Sequence, residues 1–358
     1  MATTDLQHSS NISTEQSPGS DSAALTRAGH TVAAVALGCI LVLGFLGNFL
    51  VLLVFSRFPG LRTPASLLLI NISVSDMLVC LFGTPLSFAA SVRGRWLTGP
   101  HGCRWYGFCN ALFGVVSLVS LSLLSLERHS ALFSGVQPYS SQYRRARVAV
   151  AVSWLYSLAW TLPPLLGWSS YGPEGPGTIC SVQWQRRWMA PLSPFDCMFI
   201  LFCLSLLGCI SSLRSEMWSV TSTSQSPAEW TEGRVLLMVT AMVASYLLCW
   251  MPYGVVAMLA SFGRPGMVPP AATLVPSLLA KTSTALNPII YVLLNDQFSR
   301  CFFYMIRCGS EAPPCPPQPS STRCEWPPIL PTEEQKPPQD IEPPTAAMTP
   351  SLQCCKSL

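Results

Sequence analysis

Residues 271–294 read AATLVPSLLAKTSTALNPIIYVLL. A membrane-spanning helix needs about 20 mostly apolar residues, and this stretch is long enough. It breaks its own rule at Lys281, about ten residues from either end of the segment, or roughly 15 Å at 1.5 Å per residue. A lysine so placed does not easily snorkel to the interface. A buried ammonium is strongly disfavoured unless it is paired or neutralised. A desolvated lysine amine is, however, well suited to forming a Schiff base with an aldehyde.

The rest of the chain agrees that the solvent is lipid. The 358 residues are 50% hydrophobic and only 11% charged, and mean hydropathy is +0.40. A soluble chain of this size carries about 25% charged residues. The net charge of +4 is modest, and no basic run with interleaved aromatics points to nucleic acid. The fifteen cysteines do not form one disulfide framework. Several sit in apolar runs (Cys39, Cys80, Cys203, Cys209, Cys249), where cysteine is a small core residue. No paired C-x-x-C spacing suggests zinc. The polar N-terminus MATTDLQHSSNISTEQSPGS has no signal-peptide apolar region, so the first apolar segment would serve as targeting signal.

Apolar segments fall at about 31–55, 65–90, 105–126, 147–168, 235–261 and 271–294, with a weaker one at about 192–212. The expected fold class is an all-α membrane protein, a seven-helix bundle. Ten arginines (57, 62, 128, 144, 145, 147, 214, 234, 300, 307) fall in the loops of one side, and six (93, 95, 104, 186, 187, 264) on the other. The positive-inside rule then places the N-terminus outside. Asn11-Ile12-Ser13 is a glycosylation sequon on that outer tail, residues 1–29. The sequon at Asn71 lies within the second segment and is expected to be inert. Residues 309–358 are Pro-rich and polar and read as a disordered cytoplasmic tail. Before it, NDQFSRCFFYMIRC places Phe298, Phe302 and Met305 at i, i+4, i+7, which suits a short helix on the inner membrane surface. Cys308 beside it is either a palmitoylation site or an ordinary free cysteine.

Polar groups within the hydrocarbon are functional candidates by default. Helix 1 has Asn48 in LGNFLVLLV, helix 2 has Asp76 in NISVSDMLV, and helix 3 ends in Glu127-Arg128-His129. Helix 4 has Trp154, helix 6 has Cys249-Trp250-Met251-Pro252-Tyr253, and helix 7 has Asn287-Pro288-Ile289-Ile290-Tyr291. In order and in span, these resemble the rhodopsin-like G-protein-coupled receptors over about residues 30–308. The resemblance implies an activation switch at Glu127, Arg128, Glu232, Asn287, Pro288 and Tyr291. Arg128 can pair locally, and Glu232 at the inner end of helix 6 is a second carboxylate within reach. Pro252 and Pro288 interrupt helix hydrogen bonds and can act as hinges. Asn48, Asp76 and Asn287 look like a polar network within the bundle, or simply satisfied structural groups. The resemblance further implies a disulfide between Cys103 and Cys180, the alternative being two free thiols.

Lys281 lies seven residues before Pro288, the spacing of the opsins, and Leu61-Arg62-Thr63-Pro64 is opsin-like too. The details look most like the encephalopsin and teleost multiple tissue opsin group. The implied cofactor is 11-cis-retinal, bound as a Schiff base to Lys281 in a pocket of Tyr106, Gly114, Trp250, Tyr253 and part of the outer loop. Vertebrate visual opsins place a counterion glutamate three residues after the helix-3 cysteine; here that residue is Tyr106. Many other opsins use a glutamate six residues before the loop cysteine; here that residue is Glu174. Glu174 is thus the expected counterion, the alternative being a solvated loop glutamate. Implied partners are a heterotrimeric G protein, of the inhibitory class by resemblance, with arrestin and a receptor kinase. The implied location is the plasma membrane.

The fifth segment departs from the family. No proline lies between Pro194 and Pro227, and no tyrosine between Tyr171 and Tyr246. The stretch SSLRSEMWSVTSTSQSPAEW is poor in basic residues. It is either a divergent loop or an artefact in the sequence. Two activities follow as alternatives: a non-visual light receptor, or a retinal photoisomerase with little G-protein coupling. Retention of the Glu127-Arg128 and Asn287-Pro288-Tyr291 residues favours the receptor. A diffusible-ligand receptor with Lys281 paired to an acid is a third reading.

Overall fold

A computed structural model describes residues 26–133, 139–167, 170–183, scattered positions between 207 and 214, 227–264 and 267–307. Asn11, Cys308 and nearly all of the fifth segment lie outside the described residues.

The first helix, α1 (Arg27–Arg57), starts at Thr26, whose hydroxyl accepts the Gly29 N–H at 3.2 Å. The second, α2 (Pro64–Phe82), opens with a reciprocal capping box between Thr63 and Ser66 and has Pro64 where its missing N–H costs nothing. The span expected at 65–90 is two helices in line. Gly83 separates α2 from α3 (Thr84–Arg93), and Pro85 cannot donate to the ladder across the break. Next come α4 (Gly99–Phe133) and α5 (Tyr139–Thr161), then an antiparallel hairpin of β1 (Tyr171–Glu174) and β2 (Ile179–Val182). After it come α6 (Pro227–Phe262), containing Pro252, and α7 (Leu274–Leu294), containing Pro288.

A 3-10 turn over Pro270–Thr273 replaces the expected start of the last span. Lys281 therefore sits seven residues from the α7 N-terminus, about 10 Å, and not midway along the helix. Proline at 269, 270 and 276 explains the later start, since proline suits the edge of a helix better than its interior.

Among the described residues, six helical spans are long and apolar enough to cross a membrane, α2 and α3 counting as one. Their surface is the reverse of a soluble bundle. Val32, Leu43, Leu155, Leu248, Val275 and Leu293 are exposed. Asn48, Ser73, Asp76, Ser120 and Asn287 are buried. α2 packs on α1 and α4, and α7 packs on α1 and α6. Asn71 is one of the polar groups inside: it donates to Ser120 and Ser153 and accepts from the Trp154 indole at 2.9 Å. The sequon there is therefore shielded, and Trp154 has a partner.

The last helix, α8 (Asp296–Ile306), is capped by Asn295, which accepts the Phe298 N–H at 3.0 Å. Phe298 is buried against Phe55 and Tyr291, Phe302 and Met305 are half-buried, and Arg300 and Arg307 are exposed. This is the amphipathic surface helix that the i, i+4, i+7 pattern indicates.

Candidate functional site

The bundle encloses a mostly apolar cavity of about 180 Å3 between α4, α6 and α7, beneath the β-hairpin. The Cys103–Cys180 disulfide ties the hairpin to the first turns of α4, with Cα atoms 5.5 Å apart. The hydroxyl of Tyr171 donates to the Thr161 carbonyl at 2.8 Å and so fixes the other strand to the end of α5. The hairpin thus forms a lid held at both strands.

Lys281 reaches into this cavity from α7. Its Nζ donates to Asn110 Oδ1 at 2.5 Å and stands 5.1 Å from the centre of the Tyr106 ring. All four expected pocket residues, Tyr106, Gly114, Trp250 and Tyr253, line the same space. Trp250 stacks on Tyr246 at 5.4 Å and donates to Ser283 of α7 at 3.1 Å. Tyr246 in turn donates to the Gly114 carbonyl at 3.1 Å. A Cβ at position 114 would approach the Trp250 ring to 3.1 Å, so glycine lets α4 and the indole meet closely.

Glu174 lines the cavity as well, from the hairpin. It accepts a hydrogen bond from Tyr253 Oη at 3.0 Å and makes no ion-pair contact with Lys281. Burial pushes its carboxyl above the usual glutamate range, and hydrogen bonds from Ser181 and Tyr253 pull the other way. Its side chain is half-buried.

Deeper in the bundle, Asn287 donates to Asp76 Oδ2 at 2.8 Å. Asn48 does not join this pair. Its amide donates instead to the backbone carbonyls of Gly44 and Thr284, each at 2.8 Å, because it faces the α1–α7 seam. The expected three-residue network is thus two separate ties onto α7. Pro288 and Tyr291 are buried nearby. Arg128 forms a two-pronged pair with Glu127, at 2.7 and 3.0 Å. Glu232 lies on α6, but its side chain lies outside the described residues. Arg234, two residues further on, forms an ion pair with Asp296 of α8.

Sequence reasoning missed Asn110, Ser283, Asn71 and the Arg234–Asp296 pair. Asn110 was findable: an amide seven residues after Cys103 in the otherwise apolar stretch GFCNALFGV is the same kind of signal that singled out Asn48.

A bundle with an apolar surface, polar groups buried within an apolar core, a lidded cavity and an arginine at the opposite end of α4 is that of a helical membrane protein. The family of seven-transmembrane receptors of the rhodopsin type matches residues 47–291. Pinopsin of Columba livia is 35% identical over 282 residues, covering 77% of this chain and 81% of its own. Opsin-3 of Mus musculus is 38% identical over 296 residues, covering 78% and 73%. The crystal structure of squid rhodopsin superposes with a TM-score of 0.69 at 27% identity, over 81% of this chain and 89% of that one. The chain is an opsin, a multi-pass membrane receptor of the rhodopsin family and not an enzyme.

Proposed function

We propose that this chain is a non-visual light receptor that carries 11-cis-retinal on Lys281 and activates a heterotrimeric G protein. The observation that carries this is the Lys281 amine in a lidded, apolar, aromatic-lined cavity. The residues fit the chromophore. The walls are apolar, and Lys281 is the sole lysine among the described residues. When bound, retinal supplies light absorption and a change of shape. The chain does the rest. Lys281 Nζ would hold the chromophore as a Schiff base, the aldehyde oxygen leaving as water. Glu174 balances its charge across the cavity. Tyr106, Trp250 and Tyr253 pack the polyene.

Trp250 is placed to sense the shape of the ligand. It touches α4 at Gly114 and bonds α7 through Ser283, so a push on its ring strains both contacts at the level of Pro252. Helix α6 then pivots, and the end of the bundle where α4 carries Glu127 and Arg128 opens to the G protein. The ligand acts by favouring one of two arrangements. Glu232, Asn287, Pro288 and Tyr291 belong to the same switch, and Asn48 and Asp76 brace it. The inhibitory G-protein class, arrestin and a receptor kinase are the partners that go with this reading. So do the plasma membrane, an outside N-terminus glycosylated at Asn11, and palmitoylation of Cys308.

The test is a dark difference spectrum of expressed protein with 11-cis-retinal, beside Lys281→Ala. A visible band in wild type that is absent from the variant supports the reading. No band from well-expressed, membrane-inserted protein sinks it. Light-dependent second-messenger change in cells separates a receptor from a photoisomerase, which would bleach and turn over retinal without that response.

A further inference from the structure

We infer that Asn110 is a positioning and colour-setting residue for Lys281: a neutral amide that holds the nitrogen, while the balancing charge stays on Glu174. This rests on the attachment of the chromophore to Lys281 proposed above.

Three contacts fix the amide. Its Nδ2 donates to the Tyr106 carbonyl at 2.8 Å, one turn back on α4. That bond leaves Oδ1 to point at the Lys281 Nζ, 2.5 Å away. On the remaining side stands Gly83, at the break between α2 and α3. A Cβ on residue 83 would lie 2.4 Å from Oδ1 and 2.6 Å from Nδ2. The chain therefore bends and drops a side chain at the place where the Asn110 amide needs room. An amide oxygen accepts an N–H from a cationic nitrogen but brings no charge. Tyr106 adds the face of its ring from 5.1 Å. The nitrogen is thus held by a neutral shell. Of the two acids that line the cavity, Glu174 is engaged by Tyr253 and Asp76 by Asn287.

Such an acceptor stabilises positive charge at the nitrogen. Light moves that charge away along the polyene, so the acceptor favours the ground state over the excited state. Asn110→Leu keeps the side-chain bulk and removes the acceptor, and its absorption maximum moves to longer wavelength. Asn110→Asp puts a carboxylate at the same atom and moves the maximum to shorter wavelength. It also restores a visible band to Glu174→Gln. Gly83→Ala, which never touches Lys281, pushes the amide aside and shifts the band in the same direction as Asn110→Leu. Bands that coincide with wild type in all three single variants overturn the inference.

A second readout needs no chromophore. The chain has three lysines, Lys281, Lys336 and Lys356, the last two in the C-terminal tail. Formaldehyde with cyanoborohydride methylates free amines, and peptide mass spectrometry reads each lysine separately. Relative to the two tail lysines, Lys281 reacts about tenfold faster or more in Asn110→Leu than in wild type. That is the lower end of what a hydrogen bond to a charged group contributes. An unchanged ratio means Asn110 does not hold the amine, and the inference fails. A wild type with no visible band but a raised Lys281 ratio in the variant sinks the chromophore reading alone.

Discussion

Two charged groups inside this bundle each meet an asparagine, and they use it in opposite ways. At the hairpin end, the Lys281 amine donates a hydrogen bond to the Asn110 amide oxygen. Deeper in, the Asp76 carboxyl accepts a hydrogen bond from the Asn287 amide nitrogen. Lys281, Asn110 and Asp76 line the same cavity, and each pair joins α7 to a neighbouring helix, α4 in the first case and α2 in the second. Asp76 and its partner are both buried. Lys281 is half-buried and opens onto empty apolar space. The same chemistry thus builds a strut in one place and presents a nucleophile in the other. What separates them is burial, which is complete at Asp76 and partial at Lys281.

Lys281→Ala tests the nucleophile half and has the largest expected effect. The visible band formed with 11-cis-retinal is lost completely, while the melting temperature of the chromophore-free protein in detergent hardly moves. A large fall in melting temperature would mean that Lys281 is a strut too, and the contrast would collapse.

Asn287→Ala tests the strut half. It leaves the buried Asp76 oxygen without its donor, which costs about 1–3 kcal/mol. The melting temperature falls, and a dark band, once formed, keeps its wavelength. A shifted band with unchanged melting would reverse the two roles.

Glu174 sharpens the comparison from outside the bundle. Burial raises its carboxyl above the ordinary 4.5 in the folded chain. The native state then holds a proton that the unfolded state has released. Stability without chromophore is fully present below the ordinary value and declines as pH rises through the raised one. The slope cannot exceed about 1.4 kcal/mol per pH unit, the limit for one proton. Glu174→Gln flattens it. Thermal melts across that window, with and without the substitution, measure the difference. A steeper fall in the variant would mean that the hairpin carboxylate is stabilised and not desolvated.

How much of this was legible follows from what a single sequence encodes. Hydropathy marks where lipid touches the chain, so six spans and the amphipathic α8 were readable. It does not mark where a helix ends, so α4 runs from Gly99 to Phe133, well beyond its apolar stretch of 105–126. Lys281, Trp250 and Cys103 stood out because each carries a motif or a cost. Asn110 carries no motif, and Asn71 carries only a sequon that burial makes inert. Their importance comes from partners far along the chain, Lys281 for one and Ser153 and Trp154 for the other, which only folding brings near. The division of the second span at Gly83 was invisible for a related reason. The glycine is there for a neighbour on another helix, not for its own segment.

The Arg234–Asp296 pair completes the comparison, because it is a charge pair without burial. It joins α6 to the first turn of α8, with about half of each side chain exposed. Water and salt screen such a pair, which is worth under about 1 kcal/mol. Arg234→Ala should therefore leave the melting temperature almost unchanged, and any small loss should vanish in high salt. Its position makes it worth measuring all the same. On the proposed pivot of α6, the two side chains must part when that end of the helix moves outward. Light-independent G-protein activation in Arg234→Ala should rise slightly over wild type at low salt and converge with it as salt is added. A large, salt-insensitive rise would mean that the pair is coupled to a buried contact, as at Asp76, and that exposure alone does not set the value of a charge pair in this bundle.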